Sequence, residues 1–244
     1  MPSLLLLGAH SDIGRACAQQ FAAAGFDLFL TRRRVDPNDE QEAQQLKAQY
    51  NIDLQYLSFD ALNTSAHQAL LQELEATPDV VLVTLGYLGD ADLARISQEE
   101  SQQILASNFT GLIPLLDQLA YRMQERQSGS IIGISSPAGE RGRASNYHYG
   151  AAKAGLTTYL SGLRQYSRPY GVVVTTIIPG FVRTKMLGDL HTPAFLTASP
   201  QQVAKATFRA YQNRRSVVYT LSLWRPIMWM IRHLPEPLFQ RLHL

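Results

Sequence analysis

The sequence predicts an α/β fold: a doubly wound parallel sheet in a single domain, followed by an apolar, basic C-terminal tail. Three observations predict it. Short runs of aliphatic and β-branched residues alternate with longer stretches of helical character along most of the 244 residues. Hydrophobic residues make up 45% of the chain, enough to fill a sizeable core, while the charged fraction of 17% is low and fits a surface partly covered by partner chains. Finally, the residues suited to chemistry follow strands or open helices, at the carboxyl edge where such sheets bind ligands.

The apolar run Ser3 to Leu7 predicts the first strand. GAHSDIG then turns the chain into an amphipathic helix from Arg15 to Ala24, stopped at Gly25. Gly8 and Gly14 leave room for backbone amides to face a phosphate at a helix N-terminus, although an ordinary tight turn uses the same residues. The second strand, Asp27 to Thr31, runs into Arg32-Arg33-Arg34. An acid there would bind the 2′-hydroxyl of a dinucleotide ribose, whereas arginines pair a 2′-phosphate; a solvated charge run is the plainer alternative.

A polar helix from Asp39 to Tyr50 precedes a strand from Leu54 to Phe59, ending at Asp60, whose carboxylate can accept from an adenine amino group. A helix from Ser65 to Glu75 leads to the strand Val80 to Val83 and the turn Thr84-Leu85-Gly86. Ser97 with Glu100 reads as a capping box that opens one long helix to Arg126. Asn108 inside that helix is odd, because asparagine prefers caps. SIIGISS, ending at Ser136, is a buried strand, and AAKAGLTTYLSGLRQYS is a helix. Val172 to Ile178 is a further strand closing on Pro179-Gly180, followed by a helix from Ser199 to Gln212 and a last strand, Val217 to Thr220. Residues 1–220 are therefore read as the catalytic domain and 221–244 as the tail.

The stretch from Ser136 to Lys153 carries the chemistry. Tyr149 and Lys153 stand four apart and leave one helix face. A free phenol has a pKa near 10, and a nearby ammonium is expected to lower it, making Tyr149 a usable proton donor. Ser136 can hydrogen-bond the oxygen that Tyr149 protonates. A packing tyrosine and a solvated lysine would show the same spacing. Tyr147 has Ala151 four residues on, so no cation tunes it, and it is assigned to packing or substrate contact.

A lone Cys17 excludes an internal disulfide and fits a reducing compartment. Met1-Pro2-Ser3 lacks the basic start of an export signal, so a cytoplasmic location is expected. The net charge of +2 is uneven: from Gln201 to Leu244 seven Lys/Arg face only Glu236, a net +6, leaving −4 for the rest. No zinc-finger spacing or recognition helix accompanies those cations, so nucleic acid is not an expected partner, and no metal is expected.

With these residues collected, the sequence resembles the short-chain dehydrogenase/reductase family, in the branch with an Asn-Ser-Tyr-Lys tetrad, over about Leu4 to Met186. Gly8, Ile13 and Gly14 match its glycine motif. Asn108, Ser136, Tyr149 and Lys153 match its catalytic tetrad, and Pro179, Gly180 and Thr184 match its nicotinamide-side loop. The resemblance implies a Rossmann-type fold and a cofactor-binding set of Gly8, His10, Ser11, Asp12, Ile13, Gly14, Arg32, Arg33, Asp60, Ala61, Gly86, Tyr149, Lys153, Pro179, Gly180, Val182 and Thr184. NADP(H) is expected over NAD(H), with reduction of a ketone: Tyr149 protonates, Ser136 orients, Lys153 binds the nicotinamide ribose, and Asn108 helps hold a relay water. A homodimer or homotetramer is expected through the Asn108 and Tyr149 helices.

Two departures stand out. Asp12 replaces the family's middle glycine and Leu7 its preceding threonine. Val83-Thr84-Leu85-Gly86 replaces Asn-Asn-Ala-Gly, so the bonds bracing the central strands must come from elsewhere. The apolar segment after Thr184 fits a hydrophobic substrate: a lipid-linked sugar ketone, a 3-oxoacyl thioester or a small xenobiotic carbonyl. The tail's longest uncharged apolar run, Ile227 to Ile231, falls far short of the roughly 20 residues a spanning helix needs. Its tryptophans and arginines fit a pocket cap, a subunit contact or a weak membrane-surface segment.

Overall fold

The computed structural model describes residues 1–33, 37–188 and 191–242. The chain begins in the middle of its sheet. Strand β1 (Ser3–Leu7), helix α1 (Asp12–Ala22), β2 (Asp27–Arg32), α2 (Pro37–Tyr50) and β3 (Leu54–Ser58) wind outward to one edge. After α3 (His67–Glu73) the chain returns to β4 (Val80–Val83), on the other side of β1. It continues through α4 (Ala91–Ile96), α5 (Gln98–Leu105), α6 (Ile113–Glu125), β5 (Gly129–Ile134), α7 (Tyr147–Ser167) and β6 (Val172–Ile178). A small parallel pair, β7 (Phe181–Val182) with β8 (Thr197–Ala198), precedes α8 (Pro200–Gln212), β9 (Val217–Tyr219), α9 (Trp224–His233) and α10 (Glu236–Phe239).

The main sheet is parallel, in the order β3-β2-β1-β4-β5-β6-β9. Reversal of the winding direction between β1 and β4 opens a crevice at their carboxyl ends, the usual ligand position in such sheets. Continuous aliphatic strands follow from burial on both faces. Leu4 and Leu6 face a layer built from α1 and α8 around Phe21, while Leu5 and Leu7 face the layer of α3, α6 and α7.

Several boundaries differ from expectation for local reasons. Helix α1 starts at Asp12 rather than Arg15, because the Ser11 hydroxyl caps it by accepting from Gly14 N at 2.9 Å. The expected Ser65–Glu75 helix is a 3₁₀ turn, Thr64–Ala66, followed by α3. An additional helix, α4, is capped by the Asp90 carboxylate. The long helix expected from Ser97 to Arg126 is interrupted by a π turn at Ala106–Thr110 between α5 and α6. Asn108 Nδ2 donates to Ile104 O at 2.8 Å inside that region, and a Cβ on Gly111 would fall 1.9 Å from Ala61 O. The oddity of a buried helical asparagine thus marks the break.

Candidate active site

Two adjoining cavities occupy the crevice and share Thr84, Leu85 and Gly86. One is lined by Gly8, His10, Ser11, Phe59 and Ala61, among others, and the second, of about 330 Å³, by Ser136, Tyr149 and Lys153.

The turn after β1 is held by an unusual brace. Gly8 has φ +94°, and a Cβ there would meet Leu85 at 3.0 Å; Gly14 packs so that a Cβ would lie 2.4 Å from Gly8 O. The Thr84 hydroxyl donates toward Leu7 O (3.1 Å) and Gly8 O (2.9 Å), and Gly8 N donates to Thr31 Oγ1 at 3.2 Å. Thr84 and Thr31 therefore tie the ends of β1, β2 and β4, supplying the bracing that the departing tetrapeptide left open.

At the far end, Arg32 lies over the Tyr56 ring, 4.4 Å from its centroid, and donates to the Tyr56 hydroxyl at 3.1 Å. Arg33 Nε approaches Asp60 Oδ1 at 3.5 Å, an oxygen that also accepts from Leu62 N. Arg32, Arg33 and Asp60 all line the first cavity; Arg34 lies outside the described residues. Asp12 and Gly14 line neither cavity. The Asp12 carboxylate accepts from Lys185 N at 2.9 Å, fastening α1 to the loop after β7.

Around the second cavity, Tyr149 and Lys153 project from the first turns of α7. Lys153 is 2% exposed; its ammonium donates to Ile134 O (3.1 Å) and Leu85 O (3.2 Å) and sits 5.7 Å from the Tyr149 ring centroid. Burial pushes the Lys153 pKa down to about 8. It pushes Tyr149 up to about 12, opposed only by a hydrogen bond with Ser136. The expectation that Lys153 makes the phenol more acidic is corrected: in the protein alone, burial is the larger influence on Tyr149 and raises its pKa. Asn108 is fully buried and lines neither cavity. Its Nδ2 donates to Tyr87 O (2.6 Å) and Ile104 O (2.8 Å), and its Oδ1 accepts from Tyr87 N (3.2 Å). The side chain thus clamps the loop carrying Gly86.

Ile13, Pro179, Gly180, Val182 and Thr184 line the second cavity as expected. Tyr147 does not: it is exposed and stacks on His148 at 4.3 Å. Sequence reasoning passed over Ser107, Arg143 and Asn146, and did not single out Trp224. Arg143 and Asn146 lie within ten residues of Tyr149, and that proximity was the available signal. Trp224 is 4% exposed, donates from Nε1 to Leu196 O at 3.0 Å, and packs edge-on against Phe181. It fills the space over Gly180, whose φ is +77° and whose added Cβ would strike the indole nitrogen.

A sheet wound in this order, with a glycine turn facing one cavity and a serine, tyrosine and lysine meeting at the next, defines an oxidoreductase of the dinucleotide-binding class. The model for the short chain dehydrogenase family matches residues 3–194, and the chain belongs to that family, whose members bind NAD(P)(H). An uncharacterized oxidoreductase of Mycobacterium tuberculosis is 34% identical over 98% of this chain and 96% of its own length. An acetoacetyl-CoA reductase of Acinetobacter is 27% identical over 83% of this chain and 87% of its own. The solved structure of a short-chain dehydrogenase from Sphingobium yanoikuyae in complex with NADPH has the same fold, with TM-score 0.80 at 22% identity and 97% of each chain covered.

Proposed function

We propose that this oxidoreductase uses NADPH to reduce an apolar ketone to a secondary alcohol. The carrying observation is that Ser136, Tyr149 and Lys153 line one cavity, whose wall also includes Leu88, Phe181, Met186, Leu187 and Trp224. The crevice fits a dinucleotide: Gly8, at φ +94°, packs its turn against Leu85 and exposes the backbone to the first cavity, and the enclosed Ser107 hydroxyl lining that cavity lacks a partner. Gly8, Ser11 and Ile13 would hold its phosphates, Arg33 and Asp60 its adenosine, Lys153 its nicotinamide ribose, and Pro179 to Thr184 its nicotinamide. When bound, the cofactor supplies the hydride.

The protein's own part is to orient a carbonyl and supply a proton. With its pKa raised to about 12, Tyr149 keeps its proton at neutral pH and can deliver it to the substrate oxygen as negative charge develops there. Ser136 donates to the same oxygen. Lys153, cationic below about pH 8, favours the tyrosinate left after transfer. Asn108 acts through the Tyr87 backbone to set the loop above Lys153; both Nδ2 hydrogens are used, while Oδ1 accepts once, from Tyr87 N, and keeps a second lone pair for a relay water.

Tyr149→Phe should lower NADPH-dependent ketone reduction by about a hundredfold or more, leaving NADPH affinity nearly unchanged. Retention of more than about a tenth of the turnover would refute the assignment. A redox-sensing regulatory protein is the rival reading, favoured if NADPH binds but no ketone in a broad panel is reduced. The NADPH preference rests on Arg32 and Arg33 at the end of the first cavity; Arg32→Asp should shift it toward NADH, and equal wild-type affinities for the two cofactors would overturn it.

In this reading residues 221–244 cap the catalytic domain of residues 1–220, because Trp224 lines the cavity and Met228 is fully buried. The outer face of α9 leaves Trp229 60% and Met230 58% exposed beside Arg225 and Arg232, an arrangement suited to weak binding of anionic membrane surfaces. No helix among the described residues is long and apolar enough to cross a membrane. We place the protein in the cytoplasm; absence of co-sedimentation with anionic vesicles at low salt would remove the surface contact. Exposed Tyr121 on α6 and Tyr166 on α7 fit a homodimer or homotetramer through those helices, which a monomer in sedimentation at micromolar concentration would contradict.

A further inference from the structure

The cavity beside Tyr149 holds a cation that carbonyl reduction does not use. Arg143, on the loop between β5 and α7, lines this cavity. Its Nε is enclosed without a hydrogen-bond partner, and Nη2 meets only Met228 Sδ, at 3.9 Å. Among the described residues no carboxylate pairs with it. Glu236 pairs with Arg141 at 2.7 Å; Glu140 accepts from the Tyr219 hydroxyl through Oε1, and although its Oε2 is enclosed without a partner, it forms no ion pair with Arg143. Burial lowers the Arg143 pKa with no acid opposing the shift. Asn146, at the start of α7, lines the same cavity, and its Oδ1 is also enclosed and without a partner. No Asp or Glu among the described residues lines the cavity.

A partly buried guanidinium without a counter-charge is costly, and an anion that enters and pairs with it recovers that cost. Arginine's planar fork suits carboxylate or phosphate oxygens in particular. Lys153 is held by two carbonyls deep in the site, so Arg143 is the cation placed to meet the part of a substrate beyond its keto group. Leu88, Phe181, Met186 and Trp224 supply the apolar remainder of the wall.

We propose that Arg143 determines specificity by binding an anionic oxygen group, carboxylate or phosphate, on an otherwise apolar ketone, with Asn146 Oδ1 accepting from a hydroxyl or N–H beside that group. The inference rests on the reductase reading for the rest of the substrate, but anion binding can be tested without turnover.

The test is calorimetric titration of the full chain, saturated with NADP⁺, with 5-phenylpentanoate, 4-phenylbutyl phosphate and neutral 5-phenylpentanamide. At least one anion should bind about tenfold or more tightly than the amide. Arg143→Gln should abolish that ratio, and Arg143→Lys should restore part of it. The carboxylate and phosphate arms show which anion the site prefers. The proposal is overturned if the amide binds as tightly as both anions, if the ratio survives in Arg143→Gln, if none of the three binds, or if the variant weakens NADP⁺ by the same factor. Turnover of 5-oxo-5-phenylpentanoate and its methyl ester separates the two readings. Anion discrimination without any turnover overturns the reductase reading alone, and ester reduction without anion discrimination overturns the Arg143 proposal alone.

Discussion

Replacing Trp224 by alanine tests whether the tail is a structural part of the pocket. The indole is 4% exposed, donates to Leu196 O at 3.0 Å, contacts Phe181 with ring centroids 5.2 Å apart and fills the space over Gly180. Truncating a buried aromatic of this kind costs about 3–5 kcal/mol. Helix α9 is otherwise anchored mainly by Met228, with α10 adding Phe239 and the Arg141–Glu236 ion pair, so much of the tail's docking energy resides in this side chain. Local opening of the tail should therefore become more frequent by about a hundredfold to a few thousandfold, at 1.4 kcal/mol per tenfold.

Trypsin reads this opening at Arg232, because Arg225 is followed by Pro226 and resists cleavage. When opening and closing are fast relative to cleavage, the cleavage rate follows the open population. Ketone KM should rise in the same variant because one wall of the cavity is lost. Gly180→Ala should act in the same direction, since its Cβ would occupy the indole's position. Combining the two changes should cost less than the sum, both acting on one contact. Cleavage at Arg232 within about threefold of wild type would refute the reasoning.

The pH profile follows from two opposed shifts. Lys153, lowered to about 8, loses its charge as pH rises through that value, while Tyr149, raised to about 12, stays protonated, so kcat/KM for reduction should fall on the alkaline side near pH 8. A flat profile between about pH 6 and 10 would contradict the role given to Lys153. Thr84→Val should destabilise by only about 1 kcal/mol, because Leu7 O still accepts from Thr84 N and Gly8 O from Ser11. Thermal unfolding should show a fall in Tm of about 2–4 °C, and NADPH affinity should weaken as the glycine turn loosens. Unchanged affinity would separate the brace from cofactor binding.

Local patterns in the sequence determined the order of strands and helices, because aliphatic runs buried on two faces and amphipathic helices leave different periodicities. The spacing of Tyr149 and Lys153 also placed both on one helix face without tertiary information. Strand order, the interruption at Asn108 and the Thr84 brace depend on contacts across long stretches of chain: Asn108 with Tyr87, Thr84 with Gly8. Only the tertiary structure decided the balance of the Tyr149–Lys153 pair, since desolvation depends on everything packed around both groups rather than on their separation in sequence. The same holds for Trp224, which follows Gly180 by 44 positions and meets it because the fold brings the tail back across the cavity. A glycine's missing side chain creates that space, but which distant residue fills it is a property of the folded chain.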